Sequence, residues 1–391
     1  MIYKLKDICI KVTDGSHFSP KAQEEGYPMF SVKDMHEYGF NYTSCKRISK
    51  QDFEKMQSSG CVPQEGDVLV AKDGSYLKEI FVCTETKNEA ILSSIAIFRP
   101  NQEIVNPYYL CYLLKSPQIY NYIASNCVSG SALPRIVLKD FKEVEMEVPN
   151  MSTQTKIVNI LKNIDYKIQN NYKINRNLSE QAKALFEEEL LKFDSVPDGW
   201  KEGSLIDIAD YLNGLAMQKF RPSGDENGLP VLKIKELRQG YCDANSELCS
   251  PNVKQEYIIH DGDVIFSWSG SLLVDFWCGG ECGLNQHLFK VTSKKYDKWF
   301  YYAWTLYHLD RFIAVADDKA TTMGHIKREE LSKAEILIPD SDSYKRIGEV
   351  LGPLYDMIIS KRVENRKLAA LRDELLPKLM SGEIDVLEVE L

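Results

Sequence analysis

The stretch from Ile157 to Leu185 reads IVNILKNIDYKIQNNYKINRNLSEQAKAL, and it decides the fold because the chain carries its pattern twice. Ile157, Leu161, Ile164, Ile168, Asn175, Leu178 and Leu185 recur 190 residues further on as Ile347, Leu351, Leu354, Ile358, Asn365, Leu368 and Leu375. Upstream, Ile136, Phe141, Val144, Met146, Val148 and Pro149 return as Ile326, Leu331, Ala334, Ile336, Ile338 and Pro339. This period is too long for a solenoid unit and matches one domain plus a connector, so the chain reads as a tandem of two related modules. Two domains of about 150 residues each can bury adequate cores. Such a molecule can have pseudo-twofold symmetry and is expected to bind something with two sites.

The repeated positions in both copies step forward in threes, fours and sevens, the narrow seam of a coiled coil, with Asn175 and Asn365 as polar interruptions of the kind that fix register. Ser152 and Asp342 are capable N-caps. The first helix is expected to run to about Phe193 and the second to Met380, where Ser381-Gly382 supplies a stop. About 38 residues at ~1.5 Å each make a rod about 57 Å long. Neither rod can bury its seam alone, so the pair is read as an intramolecular coiled coil rather than two helices each packed on its own domain. Antiparallel pairing, with residue i facing one near 532 − i, matches Ile157 with Leu375, Ile164 with Leu368, Leu178 with Leu354 and Leu185 with Ile347.

Ahead of each helix lies a sheet-rich module. Tyr27 to Val32 and Gly66 to Ala71 are short β-like runs bounded by Gly, Asp and Pro, and Gly262-Asp263-Val264-Ile265-Phe266 mirrors the second of them. Asn106-Pro107 starts a helix, as N-cap and first helical residue, with Tyr109, Leu110, Leu113 and Leu114 as its apolar face. Asp297 caps the corresponding helix through Trp299, Phe300, Tyr301 and Trp304, and Pro197-Asp198-Gly199-Trp200 opens the second module. The fold class is α+β, with boundaries at 1–149 and 197–339 for the sheet-rich domains and 150–196 and 340–391 for the helical regions.

The net charge of −9 spreads over all segments: residues 1–149 carry 17 basic against 19 acidic side chains, 150–196 carry 7 against 6, 197–339 carry 16 against 21, and 340–391 carry 8 against 11. No segment is a basic domain. A nucleic-acid partner therefore requires local basic faces on an acidic body and a partner protein that supplies phosphate contacts. The 10 cysteines form no C-x-x-C and have too few histidines beside them for a zinc site, so they read as reduced thiols of the cytosol. The N-terminus shows no signal stretch and no run approaches 18 apolar residues, so a soluble, cytoplasmic protein with no membrane contact is expected.

Catalytic signatures are missing. There is no G-x-x-x-x-G-K-[ST] loop for a triphosphate and no G-x-G-x-x-G after a strand for a dinucleotide. Asn106-Pro107-Tyr108-Tyr109 approaches the Asn-Pro-Pro-aromatic motif of adenine methyltransferases. It lacks the second proline, however, and no glycine-rich methyl-donor loop precedes it, so it reads as a helix cap. Lys72-Asp73 and Glu79 with Glu85 lack the arrangement of a metal-dependent nuclease. No catalytic residue, metal or cofactor is expected on this chain.

Two variable sheet-rich domains, each followed by a nearly repeated long helix, resemble the specificity subunit of a type I restriction-modification enzyme. The first module carries Asp14-Gly15-Ser16-His17-Phe18-Ser19-Pro20, Phe30-Ser31-Val32-Lys33-Asp34, Gly66-Asp67-Val68-Leu69 and Lys72-Asp73-Gly74, in the order of that family's target-recognition domains. Leu284-Asn285-Gln286-His287 in the second is similar to another class of the same domain. Val148-Pro149 followed by Ile157, Leu161 and Asp165, and the ending Leu379 to Ile384, resemble its helical regions. Where the family usually has Glu-Gln at the helix start, this chain has Thr153-Gln154 and Ser343-Tyr344.

The resemblance implies that each recognition domain reads one half of a split sequence in double-stranded DNA. It also implies that the helix pair acts as spacer and docking surface for two modification subunits, which carry the methyl donor, and that restriction subunits add ATP-driven cleavage. Antiparallel helices would then space half-site centres about one helical turn apart, roughly 10 base pairs. Base reading needs paired donors and acceptors on loops over a groove. The expected DNA-binding residues are Ser16, His17, Lys33, Lys72, Ser131 and Arg135 in the first domain, and Lys233, Lys235, Asn285, Gln286, His287, Thr322 and Lys327 in the second. Two other readings stay open at this stage: a coiled-coil adaptor that binds only proteins, and a self-sufficient DNA adenine methyltransferase.

Overall fold

A computed structural model describes residues 1–74, 76–130, 134–318 and 326–386. The chain forms two compact units, residues 1–169 with 369–391, and residues 170–368. Each is built around a four-stranded antiparallel sheet. In the first unit the order is Cys9–Asp14, Ile95–Pro100, Val68–Ala71, Ile80–Val82. In the second it is Asp210–Asn213, Leu288–Thr292, Val264–Ser267, Leu273–Phe276, the same topology. The internal repeat seen in the helices thus extends through the sheets.

The inner strands are mostly apolar because both their faces are covered. Successive side chains alternate sides: Val68 and Val70 enter a core with Leu5, Tyr109 and Leu110, whereas Leu69 and Ala71 enter another with Phe30 and Ile91. Val264 and Phe266 pack with Phe300 and Trp304, and Ile265 turns to Leu232 and Leu284. The second core of each unit belongs to a smaller sheet, in which Tyr27–Phe30 runs parallel to Ala90–Ile91 and Leu229–Leu232 runs parallel to Cys282–Leu284.

The Gly-Asp-Val runs do more than turn the chain. Gly66 and Gly262 take φ of +85° each, a left-handed conformation that favours glycine. The aspartate that follows is an anchor: the fully buried Asp67 accepts two hydrogen bonds from Arg99 at 2.7 and 2.8 Å, and Asp263 takes Lys290 at 2.8 Å. Both cations sit on the neighbouring strand of the same sheet.

The helix Pro107–Lys115 begins as expected, with Asn106 Oδ1 accepting from the backbone N–H groups of Tyr108 at 2.9 Å and Tyr109 at 3.4 Å. That commitment of the Asn106 side chain fits the cap reading and not a base-holding motif. Its counterpart is Lys298–Tyr307.

The two long helices are Met151–Phe186, continued by a π-helical turn Glu187–Leu191, and Ser341–Met380. In the first unit Ile157, Val158 and Leu161 share a core with Leu376 and Leu379, and in the second Ala182, Phe186 and Leu190 share one with Ile347 and Leu351. The start of each helix therefore packs beside the end of the other, and the pair is an antiparallel coiled coil. Gly382, at φ +74°, terminates the second helix.

Two local expectations change. The N-caps are Asn150 and Asp340, not Ser152 and Asp342: Asn150 Oδ1 accepts from Thr153 N–H at 3.0 Å and Asp340 Oδ1 from Ser343 N–H at 3.0 Å. Both residues follow the closing proline directly, so the helix starts earlier than a Ser or Asp further along suggests. The register also shifts by one helical turn. Asn171 bonds Asn365 at 2.8 Å and Glu189 takes Arg346 at 2.8 and 2.9 Å, so residue i faces one near 536 − i. The seam has leucine or isoleucine at consecutive turns, and apolar matching alone cannot separate registers one turn apart; the asparagine pair does.

Candidate nucleic-acid interface

At one end of each sheet three loops are tied together, and the ties are the same in both domains. In the first, Gly15 follows the strand Cys9–Asp14 and lies so close to the next segment that an added Cβ would sit 2.4 Å from the Leu92 carbonyl oxygen. Gly214 stands likewise after Asp210–Asn213, its Cβ position 2.2 Å from the Asn285 carbonyl oxygen. Only glycine admits this approach.

The turn Leu92 to Ser94 is the hub of the first domain. Ser93 N–H donates to Ser16 O at 2.9 Å, Lys72 N–H to Ser94 O at 2.9 Å, and Val32 N–H to Ser94 Oγ at 3.1 Å. Ile136 N–H reaches back to Lys72 O at 2.9 Å, and Asp73 pairs with Arg135 in an isolated bridge. Ser16, His17, Lys33, Lys72 and Arg135, scattered over 120 residues of sequence, are thereby gathered around one turn. Ser131 lies outside the described residues.

The gathered residues differ in access. His17 is 78% exposed, 3.8 Å from Asp14, and Lys33 and Arg135 are exposed. Ser16 is buried, its hydroxyl donating to Phe18 O at 2.9 Å and accepting from Phe18 N–H at 3.1 Å. Lys72 is only 7% exposed, with Nζ 3.2 Å from Asp14 Oδ2 and 3.6 Å from Asp73 Oδ1. Both aspartates keep a buried oxygen, Oδ1, with no hydrogen-bond partner. The lysine expected to present its ammonium outward is instead held inside the fold.

The second domain repeats the hub with different side chains. Asn285 N–H donates to Leu232 O at 3.2 Å, Leu215 N–H to Leu284 O at 3.0 Å, Trp268 N–H to His287 O at 3.4 Å, and Ile326 N–H to Trp268 O at 3.0 Å. Asn285 is buried, its Oδ1 accepting from His287 N–H at 3.3 Å. His287 is exposed, with Nδ1 3.0 Å from Ser269 Oγ and Nε2 3.3 Å from Gln286 Nε2. Lys327, beside Ile326, is exposed; Thr322 lies outside the described residues.

Lys33 and Lys235 prove to be counterparts. Each sits in a short helical turn, Val32–Asp34 or Ile234–Gln239, whose entry N–H bonds a carboxylate three residues on: Ser31 to Asp34 at 2.8 Å, Lys233 to Glu236 at 3.3 Å. Lys233 Nζ lies 2.6 Å from Glu247, a hydrogen bond that holds that carboxyl below its usual range, and Lys235 Nζ lies 3.2 Å from Asp243. These ion pairs are exposed, hence weak and salt-screened, and a phosphate can replace the carboxylate at little cost.

Trp268 escaped the sequence reading. It stands where the first domain has Lys72, and its Nε1 donates to Asn213 Oδ1 at 3.0 Å, as Lys72 bonds Asp14. Aligning Gly66-Asp67-Val68 on Gly262-Asp263-Val264 and counting on six residues reaches it, but a tryptophan opposite a lysine gives no sign that the two share a role.

Among the described residues no group of three or more His, Cys, Asp or Glu is placed to hold a metal ion, and no helix is long and apolar enough to cross a membrane. The interface is made of loops carrying donors and acceptors.

Comparison with known proteins fits this architecture. Residues 1–180 and 197–369 each match the type I restriction modification DNA specificity domain, and the chain belongs to that family. It is 26% identical to the type I restriction enzyme MjaIX specificity subunit of Methanocaldococcus jannaschii, across 99% of this chain and 94% of that one. It is 20% identical to the HindI specificity subunit of Haemophilus influenzae, across 82% and 87%. The fold is similar to that of the type I S subunit from M. genitalium, with a TM-score of 0.58 at 16% identity over 97% of this chain and 95% of the other. The chain is thus the DNA-specificity subunit of a type I restriction-modification system, a non-catalytic member of the complex. Membership in this family sets aside both the adaptor and the self-sufficient methyltransferase readings.

Proposed function

We propose that residues 1–149 and 197–339 each read one half of a two-part sequence in double-stranded DNA, and that residues 150–196 and 340–391 space the halves and dock two modification subunits. What supports this reading most is the duplicated hub: the same sheet order, the same glycine approach and the same tied loops, carrying different polar side chains in the two domains. A shared scaffold with divergent loops is what recognition of two different half-sites requires. His17, Lys33 and Arg135 in one domain, and Lys233, Lys235, Gln286, His287 and Lys327 in the other, are the accessible donors and acceptors. Ser16, Lys72 and Asn285 act from beneath them, and Ser131 and Thr322 are kept as contacts on the sequence alone.

The body is acidic, so phosphate contact comes largely from the modification subunits, which also bring the methyl donor. A restriction subunit that cleaves with ATP joins the same complex, and the assembly works in the cytoplasm, where the DNA is. The test is exchange of residues 1–149 for another domain of the family, followed by methylome sequencing. One half of the methylated sequence should change and the other stay. A change in both halves would show the domains reading jointly and sink the bipartite reading.

A further inference from the structure

Lys72 and Trp268 share one node. Each follows the inner strand of its sheet, gives its N–H to the hub turn, at Ser94 or His287, and accepts at its carbonyl from Ile136 or Ile326. Each bonds through its side chain the residue that ends the first strand, Asp14 at 3.2 Å or Asn213 at 3.0 Å, just before the constrained glycine. One residue therefore ties three loops, two through its backbone and the third through its side chain. In the first domain those loops carry His17, Ser93 and Arg135; in the second they carry Leu215, Gln286 with His287, and Lys327.

The two nodes differ chemically. Lys72 is buried between Asp14 and Asp73, so its charge is matched inside the protein. Trp268 is half-buried and stacks on Phe289, with ring centroids 5.6 Å apart, while the His287 ring lies tilted to it at 6.3 Å between centroids. We propose that Lys72 and Trp268 are positioning residues for sequence discrimination, each setting the base preference of one half-site by fixing the loops that carry the exposed donors, without contacting phosphate. This rests on the bipartite reading above.

The experiment uses the full chain assembled with its modification subunits, duplex libraries randomised in one half-site or the other, and binding measured across a salt series. Lys72→Met should lower base discrimination by about tenfold at a single half-site, the size of losing one good base contact, and leave the other half-site unchanged. The slope of log affinity against log salt should stay as in the wild type, whereas a lysine on a phosphate would lower it by about 1 when removed. Trp268→Phe, which keeps the ring on Phe289 and loses the N–H to Asn213, should relax only the opposite half-site.

If Lys72→Met fails to fold, Lys72→Met with Asp14→Asn removes both charges and should show the same loss confined to one half-site. A salt slope lowered by about 1 with discrimination intact would make Lys72 a phosphate contact and overturn the assignment. Unchanged discrimination in both variants would do so too. A wild-type complex with no two-part preference would overturn the functional reading and this assignment together, whereas intact wild-type preference retained in the variants overturns this one alone.

Discussion

Asn171 donates its side-chain N–H to the side-chain oxygen of Asn365 at 2.8 Å, and both residues are buried in the seam of the coiled coil. The second N–H of the same amide reaches Glu364 at 3.0 Å. Asn171→Leu takes the donor from a buried oxygen and should cost about 1–3 kcal/mol of stability, read by urea unfolding. Replacing both asparagines by leucine should recover that loss while removing the pin on register. A double variant no more stable than the single one would mean that the pair is incidental.

Asp165 is the polar centre of the first unit. It accepts from Tyr112 at 2.5 Å, Tyr38 at 3.0 Å and Arg372 at 2.9 Å, and Arg372 also pairs with Glu37. Burial pushes both tyrosine hydroxyls well above their ordinary range, so they remain protonated donors. Asp165→Ala should cost about 3–5 kcal/mol, because it strips a buried guanidinium of a partner. Hydrogen exchange should show the loosening within residues 1–169. Protection there equal to the wild type would contradict this.

His308 titrates against the fold. Burial holds it below its ordinary 6.5, with Nε2 donating to Glu335 O at 2.8 Å and Arg311 opposing its charge. Below pH 6.5 the unfolded chain takes up the proton more readily than the folded one, so stability falls as pH drops through that value and is fully present above it. The slope from one such group is at most about 1.4 kcal/mol per pH unit. His308→Gln keeps the donor and cannot titrate, so thermal unfolding between pH 7 and about 5 should show a shallower decline than the wild type.

If the helix pair spaces the half-sites, paired four-residue insertions, one before Asn175 and one in the facing turn near Lys361, add one helical turn, about 6 Å, to each helix. The preferred gap should lengthen by about two base pairs, with both half-sites still read. Methylome sequencing that returns the original gap at full efficiency would rule the helices out as the ruler.

The repeat, the two long helices, their stop at Gly382 and the Asn106-Pro107 helix start were all legible in the residues, because each depends on chain neighbours within a few turns. The missing catalytic signatures were legible for the same reason. Gln154 and Tyr344 mark where local reading ended. Gln154 keeps the second residue of the family's Glu-Gln helix start and Tyr344 replaces it, and neither residue type points to a tertiary role. In the fold, Gln154 Oε1 accepts from Asn106 N–H at 2.8 Å and the Tyr344 hydroxyl from Asp297 N–H at 2.7 Å, so each holds the N-cap of a helix in its own module, Pro107–Lys115 or Lys298–Tyr307.

What the sequence by itself determined, then, was the tandem architecture and the neighbourhood of the site, since periodicity and capping are encoded between near residues. The tertiary structure alone decided which side chains are presented. Lys72 meets Asp14 across 58 residues, Trp268 meets Asn213 across 55, and Asn171 meets Asn365 across 194. Whether a lysine faces solvent or closes an ion pair depends on strands brought together by sheet order, and residue type at a single position carries no record of that order.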